Sequence, residues 1–65
     1  MPKITLKAAR VNVKLTQKEV ADCIGCSVST IKNWENGITF PRYPQIEKLC
    51  ELYGVPLDNI NFCGN

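Results

Sequence analysis

The sequence contains no histidine, no long apolar run, and only four glycines and four prolines in 65 residues. Without histidine, the commonest metal ligand and the usual general base are missing, which argues against metal-dependent and triad enzymes. No apolar stretch approaches the roughly 18 residues of a membrane-spanning helix, and the N-terminus has no signal-peptide core. We therefore predict a cytoplasmic, non-enzymatic protein that needs no metal, cofactor or small-molecule ligand.

The chain length limits the number of hydrophobic cores. Apolar residues make up 45% of the sequence, which is enough for one small core. A second core would leave each half below the size at which a chain usually folds unaided. We therefore expect residues 1–65 to form a single domain without a large catalytic cleft.

The charges are unevenly distributed along the chain. Residues 1–18 carry five bases and no acid, whereas residues 19–65 carry three bases and six acids. The net charge of +2 is thus the sum of +5 and −3. A binding site for a polyanion such as nucleic acid explains the basic end, and an ordinary solvated surface explains it equally well.

Four cysteines occur, at positions 23, 26, 50 and 63. Cys23 and Cys26 have the spacing of half a zinc site or of a redox pair, but no second such pair follows. Gly25 between them indicates the end of a helix, and Cys50 falls on an apolar helical stripe. We interpret the cysteines as structural thiols, with a metal or redox role as the weaker alternative.

Apolar spacing and capping residues predict five short helices and no strand. Thr5 is placed to cap the first helix, and Thr16 with Glu19 forms a capping box before the second. Ser27 caps the third, and Pro44 suits the first turn of the fourth. Residues 38–43 are expected to form an exposed loop. The predicted helices cover residues 5–14, 17–25, 28–36, 44–54 and 56–60.

The second and third helices are joined by the short segment Ile24-Gly25-Cys26-Ser27. A turn this short, with a glycine and a capping residue inside it, makes the helices cross steeply, which is helix-turn-helix geometry. An exposed helix about 10 to 12 Å wide matches the major groove of B-DNA, which is about 12 Å wide. Residues 17–36 are therefore predicted to form a helix-turn-helix.

The third helix has one apolar and one polar face. At about 100° per residue from Ile31, the core side includes Val28, Trp34 and Glu35. Asparagine can pair with adenine, lysine with guanine or phosphate, and serine with several base edges. Without the neighbouring turn, this polar face would be an ordinary solvated surface. The outward or flanking residues are Ser29, Lys32, Asn33 and Asn36.

Arg10 and Glu35 are charged residues on stripes that otherwise face the core. A lone buried charge is costly, whereas a bidentate contact between arginine and carboxylate offsets much of the desolvation. We predict that the two side chains form an ion pair. The alternative is that both extend to solvent.

The segments 16–21, 24–27 and 31–37 together resemble the Cro and phage-repressor (XRE-like) helix-turn-helix family. These segments read TQKEVA, IGCS and IKNWENG. Arg10, Pro41, Leu49 and the sequence YGV at 53–55 also match, so the likeness covers nearly the whole chain. It implies a compact, all-α, five-helix domain of the lambda-repressor type that binds operator DNA, usually as a dimer.

The resemblance also implies DNA contacts by position. Val28 departs from the polar residue often found there and offers an apolar contact to a thymine methyl group. Gln17 is expected to contact phosphate and to brace the third helix, and Cys26 to pack in the core. The base-contacting residues are Val28, Ser29, Lys32 and Asn33. The backbone-contacting residues are Lys7, Gln17, Lys18, Ser27, Asn36 and Arg42.

One recognition helix reads too few base pairs for strong selectivity, so we expect a homodimer on half-sites about 34 Å apart. Leu57, Ile60 and Phe62 form a dimer contact or close the chain's own core, with equal support. The predicted function is that of a small transcriptional regulator, a repressor of phage or mobile-element type on a palindromic operator. The alternatives are an antitoxin, or a helical adaptor for a protein partner.

Overall fold

The computed structural model describes residues 3–62, which form four α-helices, one 3-10 turn and two short strands. The all-α helix-turn-helix class predicted from the sequence is confirmed. The elements are β1 (Ile4–Thr5), α1 (Leu6–Asn12), α2 (Gln17–Ile24), α3 (Val28–Glu35), α4 (Tyr43–Tyr53), the 3-10 turn (Leu57–Asn59) and β2 (Ile60–Asn61).

The ends of α1 and α2 follow from local capping. The Thr5 hydroxyl accepts a hydrogen bond from the Ala8 amide at 3.1 Å. The predicted capping box is present, because the Glu19 amide donates to the Thr16 hydroxyl and the Thr16 amide donates to the Glu19 carboxylate. The first helix ends at Asn12, before the predicted end, and Lys14 adopts a left-handed φ of 61°.

The predicted bounds of the third and fourth helices are nearly those of α3 and α4. The Ser27 hydroxyl caps α3 by accepting from the Thr30 amide at 3.2 Å. Gly54, with φ of 67°, ends α4 in the left-handed conformation. The predicted exposed loop at 38–43 is wrong at two positions, because Pro41 is buried and Tyr43 begins α4.

The predicted fifth helix is present only as a shorter 3-10 turn, and the prediction of no strand is wrong. Residues Leu57–Asn59 form a single 3-10 turn, and the chain then continues as β2. This strand runs parallel to β1, with Ile60 opposite Ile4 and Asn61 opposite Thr5. The pairing joins residues from opposite ends of the described chain, so it leaves no local pattern in the sequence.

The core takes apolar side chains from every helix and from β2. Ile60 is 2% exposed, and Phe62 packs against the same cluster. Of the two alternatives for Leu57, Ile60 and Phe62, the structure therefore supports closure of the chain's own core for Ile60 and Phe62, while Leu57 stays exposed. The buried core consists of Leu6, Ala9, Val20, Ala21, Ile24, Ile31, Trp34, Leu49, Tyr53 and Ile60.

Two of the cysteine thiols are part of the packing. Cys26 and Cys50 are half-buried against the core, whereas Cys23 is exposed. Burial raises the pKa of both packed thiols, which disfavours the reactive thiolate. Residues 3–62 contain no group of three side chains able to hold a metal ion and no helix able to cross a membrane. The predicted structural thiol Cys63 lies outside the described residues.

Tyr53 makes the stability of the domain sensitive to alkaline pH. Burial, and then the nearby Glu35 carboxylate, raise its pKa from 10.0 to about 12, with Arg10 acting in the opposite direction. The folded state therefore keeps the phenolic proton while the unfolded chain loses it. The free energy of unfolding is therefore unaffected by Tyr53 below pH 10. It falls by about 2 to 3 kcal/mol between about pH 10 and pH 12.

Urea unfolding at a series of pH values measures this loss. We expect Tyr53→Phe to flatten the decline in the free energy of unfolding above pH 10, because phenylalanine has no proton to lose. Equal slopes in the variant and the parent protein would show that another group causes the decline.

Candidate nucleic-acid interface

The turn between α2 and α3 is held by backbone hydrogen bonds. The amides of Gly25 and Cys26 both donate to the Ala21 carbonyl, at 2.8 and 3.0 Å. Gly25 has φ of 89°, in the left-handed region that favours glycine. A Cβ atom at this position would meet nothing within 4 Å, so the backbone conformation and not packing selects glycine here. The short turn leads directly into the Ser27 cap of α3.

One face of α3 is anchored in the core. Ile31 is 1% exposed and Trp34 is 4% exposed, and Glu35 is also buried. Val28, in the first turn of the helix, is half-buried and packs against the same cluster. These contacts fix the rotation of α3 about its own axis, and so decide which side chains it presents to solvent.

The opposite face of α3 is polar. Ser29, Lys32 and Asn36 are exposed, and Asn33 is half-buried. An amide, an ammonium group and a hydroxyl on one helix face supply the donors and acceptors that read base edges and phosphates. The outward orientation predicted for Ser29 and Lys32 is thus present in the structure.

Arg10 and Glu35 form an ion pair between α1 and α3. The Arg10 Nε donates to Glu35 Oε2 at 2.7 Å, and Nη2 donates to Oε1 at 3.4 Å. The two side chains are only 12% and 4% exposed, so neither extends to solvent. The third donor, Nη1, binds the Leu15 carbonyl at 2.8 Å in the segment before α2.

Gln17 joins the same network from α2. Its Nε2 donates to Glu35 Oε1 at 3.0 Å. The resemblance implies a bracing role for Gln17, and this contact provides one. The contact of Arg10 with the Leu15 carbonyl was not indicated by any pattern in the sequence. Together these contacts hold α1, α2 and the segment between them against Glu35, at the C-terminal end of α3.

The remaining predicted backbone-contacting residues lie on several elements. Lys7 is exposed on α1, and Lys18 is exposed on α2, where its Nζ lies 3.4 Å from Asp22. Ser27 and Asn36 are exposed at the two ends of α3. Arg42 is exposed at the start of α4, outside the α2–α3 unit.

The chain is similar to known proteins over most of its length. The profile of the helix-turn-helix domain matches residues 4–61. The cryptic phage CTXphi transcriptional repressor RstR of Vibrio cholerae is 38% identical over 52 residues, which are 80% of this chain and 47% of that protein. The type II methyltransferase M1.ScrFI of Lactococcus lactis subsp. cremoris is 41% identical over 60 residues, covering 86% of this chain and 15% of that protein.

No solved structure gives a significant match. This chain spans about half of the repressor and a much smaller part of the methyltransferase, so the likeness is that of a domain. The profile match includes the capped α2, the glycine turn and the braced α3. On this combination of sequence and geometry, the chain belongs to the Cro and phage-repressor (XRE-like) helix-turn-helix family.

Proposed function

We propose that this domain binds double-stranded DNA through α3 in the major groove and regulates transcription as a repressor of phage type. The observation that carries the proposal is the polar face of α3, opposite a face anchored by Ile31 and Trp34. The name of the phage repressor relative supports the regulatory role. The methyltransferase match covers 15% of that protein, so its name lends no activity to this chain, and we propose no enzymatic function.

The contacts divide into two classes. Ser29, Lys32 and Asn33, with Val28 at the start of α3, read base edges. Phosphate contacts come from exposed side chains and from the second N–H of the Gln17 amide, whose other N–H donates to Glu35. The exposed residues are Lys7, Lys18, Ser27, Asn36 and Arg42. Phosphate contacts position the helix and dominate the salt dependence, whereas base contacts carry sequence information.

We also propose that two copies bind a palindromic operator. An eight-residue α3 is about 12 Å long and reaches only a few base pairs. Two such helices on half-sites about 34 Å apart read enough sequence for a specific site. Because Ile60 lies in the chain's own core, we assign no dimer surface. The proposal of two bound copies depends on the palindromic symmetry of the operator.

Two substitutions separate base reading from phosphate binding. Asn33→Ala removes the amide from the polar face of α3. We expect it to reduce the binding free energy by about 1 to 3 kcal/mol through one base position of the preferred site. Lys7→Ala removes an exposed cation on α1. We expect it to weaken binding to every duplex and to lower the slope of log K against log salt by about 1.

The preferred site is first selected from a random duplex pool, and anisotropy titrations then compare it with single-base variants at two salt concentrations. Asn33→Ala should reduce discrimination at one position only. An equal loss on the preferred site and all its variants would remove Asn33 from the base-reading set. Absence of duplex binding by the parent protein at low salt would refute the proposed function.

A further inference from the structure

Val28 is an apolar side chain at the edge of the polar face of α3. It is the first residue of the helix and is half-buried, with part of its surface packed against the core. Residues four positions apart are neighbours on a helix surface, so Val28 lies one turn from the exposed Lys32. The solvent-facing part of Val28 therefore belongs to the surface that the proposed function directs toward base edges.

The first turn of α3 holds Val28 in a fixed position. The Ser27 hydroxyl accepts from the Thr30 amide at 3.2 Å and shares a hydrogen bond of 3.0 Å with the Thr30 hydroxyl. Valine is branched at Cβ, and a single χ1 rotamer dominates for it in a helix. The methyl groups of Val28 are therefore ordered before DNA binds, so a contact with them costs little conformational entropy.

The side chain of valine has no hydrogen-bond donor or acceptor, so it distinguishes bases by apolar contact. In the major groove of unmodified DNA, the apolar group on a base edge is the C5 methyl group of thymine. Methylation of cytosine at C5 places the same group at the same ring position and leaves the N4 amino donor in place. For an apolar side chain, 5-methylcytosine therefore resembles thymine, whereas cytosine and uracil lack the group that it contacts.

We propose that Val28 reads the C5 methyl group of a pyrimidine in the operator, so that methylation of a cytosine at this position strengthens binding. This role rests on the proposed function, because it needs α3 to lie in the major groove. It adds a response to the methylation state of the DNA. Burial of one methyl group corresponds to a change of about 3- to 10-fold in the dissociation constant.

Replacement of single bases in the duplex tests this role. In the site selected from the random pool, each thymine is replaced in turn by uracil, which removes the methyl group and keeps the hydrogen-bonding groups. In anisotropy titrations of the parent protein, we expect about 3- to 10-fold weaker binding for uracil at one position of the half-site. Cytosine and 5-methylcytosine are then compared at that position, and the methylated duplex should bind more tightly by a similar factor.

Protein variants assign the methyl contact to Val28. Val28→Ser removes both methyl groups of the side chain, and we expect it to bind the methylated and unmethylated member of each duplex pair equally. Val28→Ile keeps a branched apolar side chain and should preserve both preferences. The control is Lys7→Ala, which should weaken binding to all the duplexes equally and so preserve them too. Each preference is a ratio of two dissociation constants for one variant, so any unfolded fraction cancels.

Two results would overturn the methyl-reading role and leave the proposed function intact. The first is duplex binding by the parent protein that no replacement of thymine by uracil weakens. The second is a methyl preference that persists in Val28→Ser, which would assign the contact to another side chain. If the parent protein bound no duplex at low salt, the proposed function would fail, and the role of Val28 with it.

Discussion

We expect Arg10→Ala to lower the free energy of unfolding by about 3 to 5 kcal/mol, because it leaves the Glu35 carboxylate buried without its cation. The Glu35 side chain is 4% exposed and would retain only the Gln17 amide as a partner. The Leu15 carbonyl would also lose its donor. A domain of this size has a total stability of roughly 3 to 10 kcal/mol, so the variant is close to unfolding.

Urea denaturation followed by far-UV circular dichroism measures this effect. The control is the double variant Arg10→Met with Glu35→Leu, which replaces the pair by apolar groups of similar size. We expect the double variant to be much less destabilised than Arg10→Ala, because no charge is left buried alone. If both variants lost the same stability, the cost would come from side-chain packing and not from the unpaired carboxylate.

Trp34→Ala is expected to cost about 3 to 5 kcal/mol, the range for removing a large aromatic side chain from a core. Trp34 is 4% exposed and packs with the residues that anchor α3. The cavity would lie directly under the recognition helix, so DNA affinity should fall together with stability. Circular dichroism is the suitable measurement, since the substitution removes the single tryptophan of the chain.

The neighbouring Asn33→Ala provides the contrast on the same helix. Asn33 lies at the edge of the polar face, and its side chain contributes little to the core. We expect its free energy of unfolding to stay within about 1 kcal/mol of the parent value, while discrimination at one base position is reduced. A Trp34→Ala protein that unfolds at the parent urea concentration would contradict the anchoring role assigned to Trp34.

The candidate site was predictable where neighbouring residues decide it. The Thr16–Glu19 capping box, Gly25 and the Ser27 cap are local signals, and each is present in the structure. The Arg10–Glu35 pair was predictable for another reason. Both charges lie on stripes that face the core of one small domain, and pairing is the way to bury them without leaving a charge unpaired. The resemblance implied that Gln17 braces the third helix, but its contact with Glu35 was not predicted, because it depends on the packing of α2 against α3.

Sequence alone therefore determined the helix-turn-helix and the polar face of α3, because capping and helical periodicity act over a few residues. Tertiary structure decided the fate of the C-terminal segment. Residues 56–60 have the composition of a short helix, but Ile60 gains more from pairing with Ile4 and entering the core. The formation of β2 depends on a contact between residues more than fifty positions apart. A pattern of neighbouring residues cannot predict such a contact.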